Sequence, residues 1–428
     1  MVLHYGKSKP LSHSPFEIFI VENLLKKSRG IFTSGSLLVL LTVGLGQLLR
    51  FGVDVIFPVL LPYIKLEFSI GNTVAGLLLS SLAASKALSQ FPGGIFADTF
   101  GERVALTSSL IVAAFGLIII FFSNTLFALV VGMLLFGLGS GLFGTSRVTI
   151  LVHLYPKLQA TVIGVTNALG AIGNSILPPL ALLLFLAYPN TAFGWRIGIG
   201  FAIPLFLITA IVLWITVPPY SKTNSSPPIT SLSNIFSKIY KALSKPQILL
   251  ITFAMISMSV VYQGFTSFFP TYLISVKGID ESTTAGLFSI FFIGGLLIQP
   301  LLGWVSDKRG FFQPLIFTTL LTAFGLVLLP ISNGILSIAL IVAVISLQLG
   351  FWPTITTYDV SLLPNEAQGS SLGLQRTTFL LSGAIGPIIV GFMADSNLFD
   401  EAYYVLSACA IISTLTCIVL YYLRQPSQ

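Results

Sequence analysis

Twelve stretches of this chain stay apolar for about twenty residues or more: 37–64, 74–97, 104–122, 126–154, 158–187, 194–217, 248–275, 285–305, 314–331, 335–363, 369–393 and 403–423. A helix rises 1.5 Å per residue, so about twenty apolar residues cross the hydrocarbon core of a bilayer. The stretches are continuous rather than alternating, which selects helices over barrel strands. Only 8% of the 428 residues are charged, against about 25% in a soluble domain. Water therefore cannot be the solvent for most of this surface. The expectation is an all-α integral membrane protein with twelve transmembrane helices.

The net charge of +7 does not point to nucleic acid, because the basic residues gather at alternate connections. Lys7, Lys9, Lys26, Lys27 and Arg29 precede the first stretch, and Lys222, Lys238, Lys241 and Lys245 lie in the one long polar break. By the positive-inside rule both termini and that break face the cytoplasm of a cell membrane. Arg103, Lys308 and Arg309 fall on the same side, while Lys65 and Lys277 fall outside. The first apolar stretch is too long and starts too late for a cleaved signal peptide. Residues 16–25 read either as a short amphipathic surface helix or as an unstructured tail. Cys409 and Cys417 are eight residues apart on one helix, about 12 Å along its axis, too far for a disulfide.

The chain also repeats itself. Gly94-Ile-Phe-Ala-Asp98-Thr-Phe-Gly101 returns as Gly303-Trp-Val-Ser-Asp307-Lys-Arg-Gly310 at an offset of 209. The same offset carries Gly164 to Gly373 and Pro178 to Pro387. The expected organisation is a segment at 1–35, a six-helix half at 36–217, a linker at 218–247, a second half at 248–423 and a tail at 424–428. Parallel repeats of this kind place a substrate site between the halves near the midplane.

The segment from Gly94 through Asp98 and Gly101 to Arg103 resembles the G-x-x-x-D-[RK]-x-G-[RK]-[RK] motif between helices 2 and 3 of the major facilitator superfamily. The degenerate copy after helix 8 and the Gly386-Pro387 pair in helix 11 fit the same resemblance, which covers the whole chain in the manner of a general prokaryotic member. It implies a transporter in which helices 1, 4, 7 and 10 line the cavity, and in which Asp98 docks on neighbouring helix ends at a cytoplasmic gate. Gly94, Asp98, Gly101, Arg103, Gly303, Asp307 and Gly310 are the gate residues it implies. Thr99 and Glu102 occupy positions usually basic in the motif, which thins its charge network. Helix 5 reads Gly164, Gly170, Gly173, Asn174, Pro178, without the Gly-Pro step of the antiporter motif.

Arg50 lies midway along the first stretch, where a charge costs roughly 2.5–3.5 kcal/mol to insert. Asp54 is one turn on and shares its face, so the expected Arg50–Asp54 pair reads either as part of the substrate site or as a purely structural intrahelical pair. Ser259, Gln263 and Ser267 of helix 7 are the 209-offset partners of Arg50, Asp54 and Pro58. Helix 10 places Gln348, Trp352, Thr356 and Asp359 on one face, with Trp352 and Tyr358 as candidate stacking surfaces for an organic substrate. Asp359 reads either as a coupling residue or as the ion-pair partner of Arg376. Arg147 reads as a substrate, coupling or gate residue, Lys86 as a gate or interhelix residue, and His153 as an interfacial one. Arg50, Asp54, Gln263, Gln348, Trp352, Asp359 and Arg147 form the candidate substrate and coupling set.

Enzyme chemistry is not expected. Gly139-Ser-Gly141-Leu-Phe-Gly144 matches G-x-G-x-x-G but lies in an apolar helical run, where close helix packing explains it. No P-loop, catalytic triad, metal cluster or cofactor site is legible. The expected activity is alternating-access secondary transport of a small solute by a monomer, with a proton as candidate co-substrate. Arg50, Lys86, Arg147 and Arg376 outnumber Asp54 and Asp359, which leans toward an organic anion. A drug or cation exporter, and a non-transporting sensor on the same scaffold, are the rival readings.

Overall fold

A computed structural model describes residues 34–156, 158–188, 193–219, 245–362 and 368–423. Residues 16–25 and most of the 218–247 linker lie outside the described residues. Twelve helical segments follow one another: α1 (Ser34–Phe68), α2 (Asn72–Phe100), α3 (Glu102–Phe121), α4 (Leu126–Leu154), α5 (Gln159–Ala187), α6 (Gly194–Thr216), α7 (Pro246–Ser275), α8 (Glu281–Arg309), α9 (Phe312–Ile331), α10 (Ile335–Leu362), α11 (Gln368–Gly383, resuming at Ile385–Asp395) and α12 (Phe399–Leu423). Among the described residues eleven helices are long and apolar enough to span a membrane. The twelfth, α2, is more polar because Ser80, Ser81, Ser85, Lys86, Ser89 and Gln90 share one stretch of it.

The helices outrun the apolar stretches at both ends, since helical hydrogen bonding continues into the interfacial residues. Thr125 and Asp280 cap α4 and α8 by accepting the Ala128 and Thr283 N–H groups, satisfying donors that a helix start leaves free. The backbone N–H of Thr283 also holds the Asp280 carboxyl below its usual range. Two irregularities were not anticipated: a 3-10 turn at Ser346–Gly350 inside α10, and a break at Ala384 in α11.

Packing follows a two-bundle logic. α1 lies along α5 and α3 along α4, as α7 lies along α11 and α9 along α12. In the second bundle an aromatic core fills the space, with Phe265 stacked on Phe269 at 4.7 Å and Phe291 5.0 Å from Phe265. Lipid is left with Leu183, Ile211, Ile215, Leu297, Phe324 and Leu340, all exposed. The bundles meet through two contacts related by the repeat, α2 with α11 and α5 with α8, and through α1 with α7.

Those meetings are unequal along the helix axes. At the end carrying the α1–α2 connection, Asp395 of α11 accepts the N–H groups of Asn72 and Thr73 (2.7 Å each) and the Thr73 hydroxyl (2.6 Å). A carboxylate there meets free N–H donors and the positive end of the α2 dipole. A Cβ at Gly76 would collide with the Pro387 carbonyl, and one at Gly391 with that of Asn72. At the opposite end Gly94, Gly164, Gly303 and Gly373 have no described heavy atom within 4 Å of where a Cβ would stand. Among the described residues the bundles approach each other more closely at the α1–α2 end than at the other.

Candidate functional site

Between the bundles lies a cavity of about 200 Å³. Arg50, Asp54 and Pro58 of α1 line it, with Lys86 and Gln90 of α2, Asn174 of α5, Tyr262, Gln263 and Ser267 of α7, and Arg376 of α11. The polar stripe anticipated on α1 and its repeat partner on α7 thus face one space. Gln263 is further fixed by donating its Nε2 to the Leu380 carbonyl at 3.0 Å. Tyr262, Gln90 and Arg376 were not assigned to the site from the sequence.

The expected Arg50–Asp54 pair is not formed. Lys86 Nζ, reaching over from α2, makes the salt bridge to Asp54 Oδ2. Arg50 turns instead toward neutral acceptors: Nη2 donates to Gln47 Oε1 at 2.9 Å and Nη1 to the Ser140 carbonyl of α4 at 2.8 Å. The reason is steric as well as electrostatic. Gly144 leaves room beside the guanidinium, since a Cβ there would sit 3.4 Å from Arg50 Nη1. Arg50 is 3% exposed, so its charge is carried by dipoles rather than by a carboxylate.

A second expectation is also corrected. Asp359 is buried, and its Oδ1 accepts from Gln375 Nε2 at 3.2 Å; it has no ion pair with Arg376. Gln375 and Arg376 are adjacent, so they point about 100° apart around α11, and the neutral neighbour takes the carboxylate. Arg376 is left projecting into the cavity without a hydrogen-bond or ion-pair partner among the described residues.

Arg147 does not bridge the bundles. It stays within the first, where Nη1 donates to Thr166 Oγ1 (2.7 Å) and Asn167 Oδ1 (2.9 Å) of α5. Arg147 does not line the cavity. The rest of the helix 10 face does not reach the cavity. Gln348 is fully buried in the 3-10 turn, Trp352 stacks on Phe379 at 5.1 Å, and Tyr358 is buried against Phe312 at 4.9 Å.

At the end away from the α1–α2 connection, Gly101 and Gly310 adopt φ of 85° and 80° and cap α2 and α8 through N–H bonds to Ala97 and Ser306. Only glycine takes that conformation without strain, which explains both repeat glycines. The Asp98 and Asp307 side chains lie outside the described residues. Arg103 sits 4.2 Å over the Trp214 ring. Glu102, the departure from the motif, accepts from or pairs with His153 Nδ1 at 2.6 Å. His153 is thus an interhelix partner as well as an interfacial residue. Gly139, as expected, is a packing residue, 2.5 Å at a notional Cβ from the Ser109 carbonyl. Among the described residues no His, Cys, Asp and Glu cluster could hold a metal.

A paired-bundle, all-helical fold with membrane-length apolar helices and a polar cavity between the bundles is that of a membrane transporter. The model of the Major Facilitator Superfamily matches residues 43–387, and the chain belongs to that family. It is 24% identical over 383 residues to the hexuronate transporter of Bacillus subtilis, covering 83% of this chain and 88% of the relative. It is 24% identical over 375 residues to the cis,cis-muconate transport protein of Acinetobacter baylyi, covering 82% and 87%. A bacterial homolog of the human lysosomal transporter Spinster, solved inward-facing and occupied, superposes with a TM-score of 0.75 at 15% identity, covering 92% of this chain and all of that one.

Proposed function

We propose that the protein moves a small organic anion across the membrane by alternating access. The observation that carries this reading is the state of Arg376 and Arg50. Both line the cavity, and neither is paired with a carboxylate among the described residues. Arg376 is exposed to the cavity and Arg50 is buried against neutral acceptors only, so a bound carboxylate would supply the anion that a cation of each bundle lacks. The hexuronate and muconate relatives carry organic anions by name, which supports the same class. The rival cation exporter would need a free carboxylate in the cavity, and Asp54 is already held by Lys86. The α1–α2 end is the external one if the termini are cytoplasmic, as the basic residues argue.

The test is a thermal-shift panel on purified protein with glucuronate, muconate, nitrate, glucose and a lipophilic cation. Binding to the folded state raises apparent stability by mass action. Stabilisation by an organic anion is the expected result; stabilisation by glucose or the cation alone refutes the reading.

A further inference from the structure

A second space, of about 400 Å³, lies at the α1–α2 end. Pro62, Lys65 and Leu66 of α1 line it with Ser69 just beyond that helix, and Thr271 and Ser275 of α7 close the other side. The offset of 209 makes Thr271 the counterpart of Pro62, and Ser275 that of Leu66. Repeat-related residues of both bundles thus share one space, which puts it on the axis relating the bundles. The same holds for the central cavity, which Pro58 and its counterpart Ser267 both line. From Pro58 to Pro62, and from Ser267 to Thr271, is about one helical turn, roughly 6 Å. The intervening residues 59–61 and 268–270 are buried. The two spaces are therefore in line, parted by one turn of packed helix.

The polar groups of the outer space lack an anion. Lys65 Nζ donates to the neutral Asn72 Oδ1 and has no ion pair among the described residues. Asp395 acts on Lys65 through space, but its oxygens are engaged by Asn72 and Thr73. Thr271 is 2% exposed, and its hydroxyl has no hydrogen-bond partner among the described residues. Thr252 and Thr266 of the same helix donate to the carbonyl four residues back, at 2.8 and 2.7 Å; Thr271 does not. A buried hydroxyl left unsatisfied is costly. We infer that the outer space is a docking site for the transported anion, where Lys65 meets a carboxylate and Thr271 donates to it before the anion reaches the central cavity. The inference rests on the anion reading above. The field of Asp395 keeps this binding weak, as release toward the central cavity requires.

The experiment uses full-length Ser275→Cys protein in phosphatidylcholine vesicles. Ser275 is exposed at the rim of the outer space, and Cys409 and Cys417 lie within the span of α12, out of reach of charged reagents. Labelling rates are measured with anionic sulfonatoethyl methanethiosulfonate and with its cationic trimethylammonium counterpart. Lys65→Gln should lower the ratio of anionic to cationic rate by about two- to five-fold, the range for an exposed ion pair; Lys65→Arg should keep it. A general loosening of that end raises both rates and cancels in the ratio. Glucuronate or muconate, whichever the panel selects, should slow labelling, and should still do so in Arg376→Gln, whose central cavity has lost its free cation. A ratio unchanged by Lys65→Gln, or protection that vanishes with Arg376→Gln, overturns the outer site while leaving the anion reading standing. Stabilisation by neither anion in the panel refutes the anion reading, and the inference with it.

Discussion

Asp54 of α1 is held by Lys86 of α2, across a helix interface, and not by Arg50 one turn away on its own helix. This single pairing redistributes the charge of the whole cavity. It neutralises the one carboxylate among the residues lining the cavity and leaves Arg376 free for a ligand and Arg50 on neutral acceptors.

Breaking the pair should cost more than deleting it. Lys86→Ala leaves Asp54 without a cation in a poorly hydrated site and should destabilise the protein by about 1–3 kcal/mol, below the fully buried range because Lys86 keeps some exposure. Adding Asp54→Ala should recover most of that loss. Melting temperatures of the two single variants and the double variant close the cycle; an additive double variant would show that the pair contributes nothing.

Arg50 is held by planar bonds to two partners, so its replacement by lysine should not rescue it. Arg50→Ala and Arg50→Lys should each weaken organic-anion binding by about ten-fold or more, because an ammonium cannot span Gln47 and Ser140 while facing a ligand. Titration of each variant with glucuronate measures this. An affinity for Arg50→Lys equal to that of the unsubstituted protein would mean that charge alone matters there.

Asp395 fastens α11 to the start of α2, and its loss should loosen the α1–α2 end. Removing a cap of this kind costs about 0.5–2 kcal/mol. Asp395→Ala should therefore raise the reactivity of a cysteine placed at Thr271, which is buried beside the pocket at that end. Maleimide labelling of Thr271→Cys with and without Asp395→Ala reads the shift; unchanged labelling would mean that the clasp does not set the conformational balance.

The Glu102–His153 contact explains why the family motif is broken where it is. Glu102→Arg restores the usual basic residue but sets a cation against His153, and should destabilise by about 0.5–1 kcal/mol, as for a partly exposed pair. Pairing it with His153→Glu should return the stability. A Glu102→Arg protein as stable as the parent would leave the departure from the motif without this explanation.

The spans, the repeat and the helix-ending glycines were legible because each rests on a one-dimensional signal. Apolar run length marks a crossing, a constant offset marks a repeat, and a helix that must turn sharply needs glycine at Gly101 and Gly310. The partner choices were not legible, because they depend on how helices are rotated about their own axes. Arg50 and Asp54 share a face by spacing, but the nearness of α2 gives Asp54 a cation that spacing cannot reveal. Asp359 takes Gln375 and not Arg376 because adjacent residues on α11 point about 100° apart, and α11 is turned to bring Gln375 to it. Trp352 and Gln348 lie on the anticipated face of α10, yet the 3-10 turn and the stacking against Phe379 take that face away from the cavity.

The central claim is that cationic side chains of both bundles receive one anion. Its most direct test is the dissociation constant for an organic anion, glucuronate or muconate, on the parent protein and on Arg376→Gln. A loss of about ten-fold or more in affinity, about 1.4 kcal/mol, with the melting temperature unchanged, is the predicted result. Unchanged affinity in a folded Arg376→Gln protein would contradict the account, because the one arginine left free in the cavity would then have no part in holding the substrate.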